Sequence, residues 1–168
     1  MRDIQEETMF NYFTAKPDAE LLWFGDSLVT VRVSAQSGVQ GMSVLEMTLP
    51  IGHSPPLHIH RNQDEIFHIL EGTMRFHVNG GEMTAHAGQT VLAPRNVPHT
   101  FRIESPEGAR VLVMTQGPDF ENMVREASVP ASAAELPPQA APTPETIARL
   151  VETCRRNNID VVGAPLAA

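Results

Sequence analysis

The chain has 168 residues, which sets one domain as the expectation and two as the limit. Lys+Arg 12 against Asp+Glu 20 gives a formal net charge of −8, with Lys16 the single lysine, so no nucleic-acid partner and no phosphate-rich ligand is expected. Hydrophobic residues at 42% exclude a disordered chain; the lone Cys154 excludes a disulfide framework; and no apolar run reaches the length of a membrane span, so neither a transmembrane helix nor a membrane partner is expected.

The opening MRDIQEETMF is acidic and polar, unlike a signal peptide, so a cytoplasmic, soluble protein is expected. Residues 1–20 read as an N-terminal arm carrying Phe10, Tyr12 and Phe13, able to cover an opening or reach a partner subunit. From Leu21 to about Gln116 the period is two. Val29, Val31 and Val33 alternate with polar neighbours, as do Leu45, Met47 and Leu49, then Met74, Phe76 and Val78, then Phe101 and Ile103. Turn signals separate these runs at Ser37-Gly38, Pro50 to Pro56, Glu71-Gly72, Asn79-Gly80-Gly81, Ala87-Gly88 and Ser105-Pro106. Many short strands at this spacing predict an all-β barrel or two-sheet sandwich over residues 21–117.

After Gly117-Pro118 the period becomes helical. Phe120, Met123, Val124 and Ala127 share one face of a short helix. A Pro- and Ala-rich connector covers residues 128–144, and a second helix follows, with Thr143 as N-cap, Pro144 at its first position and Ile147, Leu150, Val151 and Cys154 as its apolar stripe. Residues 118–168 thus read as a C-terminal helical extension packed on the barrel.

The chemistry concentrates in GHSPPLHIHRNQDEIFHILEG. His58 and His60 lie two apart, so in a strand they share one face, about 7 Å apart along the chain. Glu65 follows a turn, at the start of the next strand, and GQTVLAPRNVPHTF supplies His99, again at a strand start. Three imidazoles and one carboxylate suit a divalent transition ion: Fe, Mn, Co or Ni, with Zn or Cu as further options. Four protein donors leave one or two positions open, as a catalytic metal requires.

These residues resemble the two sequence motifs of the cupin superfamily. Gly52, His58, His60, Glu65 and Gly72 fit every position of the first motif, and Gly88, Pro94 and His99 fit the second. Asn96 stands where the second motif usually has Gly, a substitution that a left-handed turn tolerates, and Ile103 stands where it usually has Asn. The resemblance implies a cupin β-barrel, or jelly roll, with short C-terminal helices, in which His58, His60, Glu65 and His99 hold the metal. HSPPLHIHRNQDEIFHILEG, the GPDFE helix, the Pro-rich connector and a final helix ending in NIDVVGAP are similar to single-domain quercetin 2,3-dioxygenase-like cupins of bacteria. That similarity implies oxidative opening of a flavonol ring by dioxygen with loss of carbon monoxide, Glu65 acting as both ligand and general base.

Strand parity turns Leu45, Met47, Leu49, Phe67, Ile69, Phe76, Phe101 and Ile103 inward, an apolar lining that favours an aromatic substrate. Met47, Phe67, Phe76, Phe101 and Met114 are the candidate substrate-pocket residues. His53, His68, His77 and His86 fall outside the ligand set. The same donors would serve a non-oxidative isomerase, dehydratase or lyase, or a non-enzymatic ligand-binding cupin. A polar residue directed at the metal from the interior would favour the non-oxidative enzyme. The outward Ile66, His68 and Leu70, with the second helix's stripe, predict a homodimer.

Overall fold

The computed structural model describes residues 19–37 and 41–168, so the expected arm with Phe10, Tyr12 and Phe13 lies outside the described residues. Alternation becomes strand almost everywhere it was expected. In chain order the elements are β1 (Leu21–Phe24), β2 (Ser27–Val33), β3 (Met42–Leu49), β4 (Pro56–His60), β5 (Glu65–Glu71), β6 (Thr73–Val78) and β7 (Gly81–His86). Then come β8 (Thr90–Ala93), β9 (His99–Ile103), β10 (Ala109–Gln116), α1 (Asp119–Ala127), β11 (Val129–Pro130), α2 (Pro144–Arg156) and β12 (Ile159–Pro165). The strands form two antiparallel sheets, ordered β11-β1-β2-β3-β10-β5-β8 and β12-β4-β9-β6-β7. Two such sheets laid face to face make a jelly roll, which buries one face of each strand and leaves few free edges.

Between the sheets lie Val29, Leu45, Leu49, Phe67, Ile69, Met74, Phe76, Ile103 and Val111, all buried. Phe67, Phe76 and Phe101 fill the interior against one another, with ring centroids 5.2 to 5.7 Å apart. The β6–β7 hairpin turns at Asn79 and Gly80, whose φ values of 51° and 80° are those of a primed turn. At Gly72 the backbone is both left-handed, φ +89°, and crowded: a Cβ there would stand 2.5 Å from the Gly108 carbonyl oxygen. Asn96 adopts φ 62°, the left-handed turn expected of it.

Three expectations are corrected. NIDVVGAP does not end a helix. After the cap at Asn157 the chain turns at Asn158, φ 58°, and Ile159–Pro165 becomes a strand on the edge of the smaller sheet. There Ile159 faces His60 and Val161 faces His58, because β4 leaves an unpaired edge that needs a partner. Of the expected stripe of the second helix, Cys154 is buried and Leu150 packs on the core, whereas Ile147 and Val151 stay 47% and 38% exposed and Thr153 is buried instead. Met114 belongs to the outer face of β10, since Val111, Val113 and Thr115 are the residues that point in.

α1 is tied to the larger sheet by Glu121. This buried carboxylate accepts bonds from Ser34 Oγ at 2.7 Å, Ala35 N at 2.7 Å and Arg125 Nε at 2.9 Å, so its charge is fully compensated. Among the described residues no helix is long and apolar enough to cross a membrane.

Candidate metal centre

His58 and His60 point to one side of β4, and His58 pairs across the sheet with His99 at the start of β9. Glu65 begins β5 on the facing sheet, after a turn of four residues. One donor atom from each of these four side chains lies within 4.8 Å of the others. The three imidazole centroids are 4.4, 5.2 and 5.4 Å apart. His60, Glu65 and His99 are buried, and His58 is half-buried.

Backbone carbonyls set two of the three tautomers. His58 Nδ1 donates to Pro56 O at 2.8 Å, and His99 Nδ1 donates to Val97 O at 2.9 Å. A carbonyl can only accept, so both Nδ1 atoms carry hydrogen and both rings turn Nε2 to the centre, His99 as an imidazolium while it donates to Glu65 and as a neutral donor to an ion once that proton leaves. His99 Nε2 lies 2.9 Å from Glu65 Oε2, and His60 Nε2 lies 3.4 Å from the same oxygen.

Burial pushes His58 down to about 3, helped by repulsion from His99. Burial also lowers His60, against the opposing pull of Glu65. Burial would lower His99 too, but its hydrogen bond to Glu65 and the carboxylate's charge outweigh this and raise it. Burial would raise Glu65, yet the surrounding imidazoles, above all the hydrogen bond and charge of His99, outweigh it and lower the carboxyl. Glu65 therefore stays ionised, facing rings that resist protonation at His58 and His60.

His60 decides what this arrangement fits. Both of its ring nitrogens are buried without a hydrogen-bond partner. An orphaned buried polar atom costs about 1–3 kcal/mol, and a cation at the centre would remove that cost for Nε2. Donors about 2.1 Å from one ion stand at most about 4.2 Å apart, so the cluster is nearly closed around a common centre. Three imidazole nitrogens and a carboxylate oxygen can hold a divalent transition ion.

A family model described as Cupin domain matches residues 45–115. The barrel has the cupin fold. Quercetin 2,3-dioxygenase of Bacillus subtilis is 23% identical over 130 residues, covering 77% of this chain. The chain spans only 38% of that relative's length. KdgF from Halomonas sp. superposes with a TM-score of 0.56 at 13% identity, over 65% of this chain and 96% of its own. A Thermotoga maritima protein described as a predicted oxalate decarboxylase superposes at 0.55 with 20% identity, over 59% and 93%. These two likenesses concern the cupin fold alone.

Of the candidate pocket residues, Met47, Phe67, Phe76 and Phe101 face the cupin interior, and Phe67 stands beside His99 with centroids 6.4 Å apart. Met114 faces away. His53 bonds Asp26 Oδ1 at 2.6 Å through Nδ1 and packs on Phe101, clear of the cluster. His68 and His86 bond Thr90 and Thr73 on outer surfaces.

Sequence reasoning missed Ser43 and Thr115. They pair across β3 and β10, both buried, with their hydroxyls 2.9 Å apart. Thr115 pairs in turn with Glu65, so one inward row runs Ser43–Thr115–Glu65. The parity that turned Leu45 inward also turns Ser43 inward, so the signal was present. Gln63 was missed as well. Only 2% exposed, it accepts from Phe120 N at 2.9 Å and donates to Gln116 O at 2.9 Å.

Proposed function

We propose that this cupin is a metal-dependent dioxygenase opening the ring of a flavonol-like or other enolisable aromatic substrate. The observation that carries the reading is Glu65: one ionised carboxylate among three imidazoles, with two rings fixed to present Nε2. Likeness to quercetin 2,3-dioxygenase over 77% of the chain supports it. His58, His60, Glu65 and His99 would hold Fe, Mn, Co or Ni, with Zn or Cu as further options. The ion would supply Lewis acidity and, when redox-active, the means of using dioxygen.

The protein's own groups account for the rest. Glu65 accepts the proton of the substrate's enolic hydroxyl, and its burial keeps bulk water from competing. Met47, Phe67, Phe76 and Phe101 make the interior beside the cluster apolar, with Phe67 next to His99.

Oxygen uptake with a flavonol panel, using protein loaded in turn with Fe, Mn, Co and Ni, tests the reading. Uptake that requires both metal and Glu65 supports it, and no uptake with any pair refutes it. A second reading, a non-oxidative isomerase, dehydratase or lyase, is favoured by the Ser43–Thr115 hydroxyl pair in the row of Glu65. Turnover that persists without oxygen would select it.

We further propose a cytoplasmic homodimer. Val44, Met114, Ile66 and Leu92 form a continuous apolar row across the outer face of four adjacent strands, and Leu92 is 52% exposed. A monomer in light scattering at micromolar concentration would refute the dimer.

A further inference from the structure

The turn that separates His60 from Glu65 consists of Arg61, Asn62, Gln63 and Asp64, and each is fastened. Arg61 grips Asp160 with two bonds, Nε to Oδ2 at 2.6 Å and Nη2 to Oδ1 at 2.7 Å. Its backbone N donates to Asn158 O at 2.9 Å. Asn62 Nδ2 donates to Asp119 Oδ2 at 3.0 Å, and Asn158 Nδ2 donates to the same oxygen at 3.0 Å. Gln63 bonds Phe120 N and Gln116 O as described. Gln116 O ends β10, so Gln63 ties the turn both to the barrel and to α1, whereas Asp64 bonds the barrel side only, accepting from Arg95 N at 2.8 Å.

Three of the four turn residues therefore bond into the segment from Asp119 to Asp160, which follows the barrel in sequence. The same segment lays Phe120 against the His60 ring, centroids 5.7 Å apart, and places Ile159 opposite His60 across β4 and β12. Charge pairs exposed like Arg61–Asp160, whose side chains are 57% and 29% exposed, contribute little to global stability. Their convergence on four consecutive residues between two ligand candidates calls for a local explanation.

We propose that the segment after the barrel is a clasp that fixes the distance between His60 and Glu65, with Gln63 as its central positioning residue. The clasp rests on the metal-binding reading above and deepens it. A free turn of four residues would let the carboxylate and the imidazole drift independently. Held at both flanks and at its middle, the turn presents the two donors in one geometry before an ion arrives. Groups that orient metal ligands in this way typically change affinity by about 10–100-fold when removed.

The test uses the full chain carrying Gln63→Met, which keeps the length of the side chain but loses the acceptor for Phe120 N and the donor to Gln116 O. Asp160→Ala, at the exposed flank, is the companion variant. Affinity for Mn(II) or Ni(II) is measured by competition with a chromophoric chelator, alongside the Co(II) absorption spectrum and the unfolding midpoint in chelator.

The expected result is affinity weakened about 10–100-fold in Gln63→Met and at least threefold in Asp160→Ala, with an altered Co(II) spectrum. The chelated Asp160→Ala protein should unfold near the wild-type temperature. Affinities within twofold of wild type with an unchanged spectrum overturn the clasp and leave the metal reading standing. A wild-type protein that binds no ion, or binds it equally well as His60→Ala, overturns both.

Discussion

His60→Leu separates what His60 does for the fold from what it does for a metal. In the chelated protein, two buried ring nitrogens lack partners, and His60 is 1% exposed. Replacing an unsatisfied polar group by an apolar one of similar volume removes a cost of about 1–3 kcal/mol. At about 2–4 °C per kcal/mol for a chain of this size, the chelated variant should unfold about 2–12 °C above the chelated wild type. Metal acts in the opposite direction. An ion at a hundred times its dissociation constant stabilises the wild type by about 2.7 kcal/mol, or about 5–11 °C, and the variant gains almost nothing. Thermal unfolding followed by circular dichroism, in chelator and in excess Mn(II) or Ni(II), reads both halves. A variant well below wild type in chelator would show that His60 is held by contacts its ring already makes. A variant that gains as much from metal as wild type would refute His60 as a ligand.

The site was legible because a metal demands few residue types at rigid spacings. His58 and His60 share a face by strand periodicity alone, and Glu65 and His99 stand at the strand starts that the turn signals marked. Less legible was whatever depends on partners distant in sequence. Val161 and Val162 carry no alternation that separates a strand from a helix end, and the edge of β4 decides their conformation. Met114 was misplaced because it was counted as pocket-lining without carrying through the parity of its own strand, in which Thr115 shares the inward row of Glu65. Gln63 looks like an ordinary loop residue, and only the arrival of Phe120 N and Gln116 O gives its amide a role. Ile147 and Val151 follow a helical period correctly, yet the helix docks through Leu150, Cys154 and, off the expected stripe, Thr153.

Gly72→Ala should cost at least about 2 kcal/mol, because it combines a left-handed backbone with a Cβ 2.5 Å from Gly108 O. Gly80→Ala, equally left-handed but with nothing within 4 Å, should lose only about 1–2 kcal/mol; equal losses in thermal unfolding would discount the crowding. Burial raises the Cys154 thiol to about 11, so at pH 8 only about a thousandth is thiolate, against about a quarter for an unperturbed thiol. Ellman's reagent should therefore react about 100-fold or more slowly until denaturant is added, and prompt labelling of native protein would contradict the packing of α2. The last prediction concerns Asp26. Burial would raise this carboxyl, but the hydrogen bond and charge of His53 outweigh burial and hold it below 3.8. A carboxyl lowered by folding adds stability above its unfolded value, and that stability is lost as pH falls through its folded value. Asp26→Asn should thus be less stable than wild type at pH 6, with the gap closing below about pH 3.8. A gap that stays constant from pH 6 to about pH 2 would mean that the Asp26–His53 contact does not join the β1–β2 turn to the loop before β4 through charge.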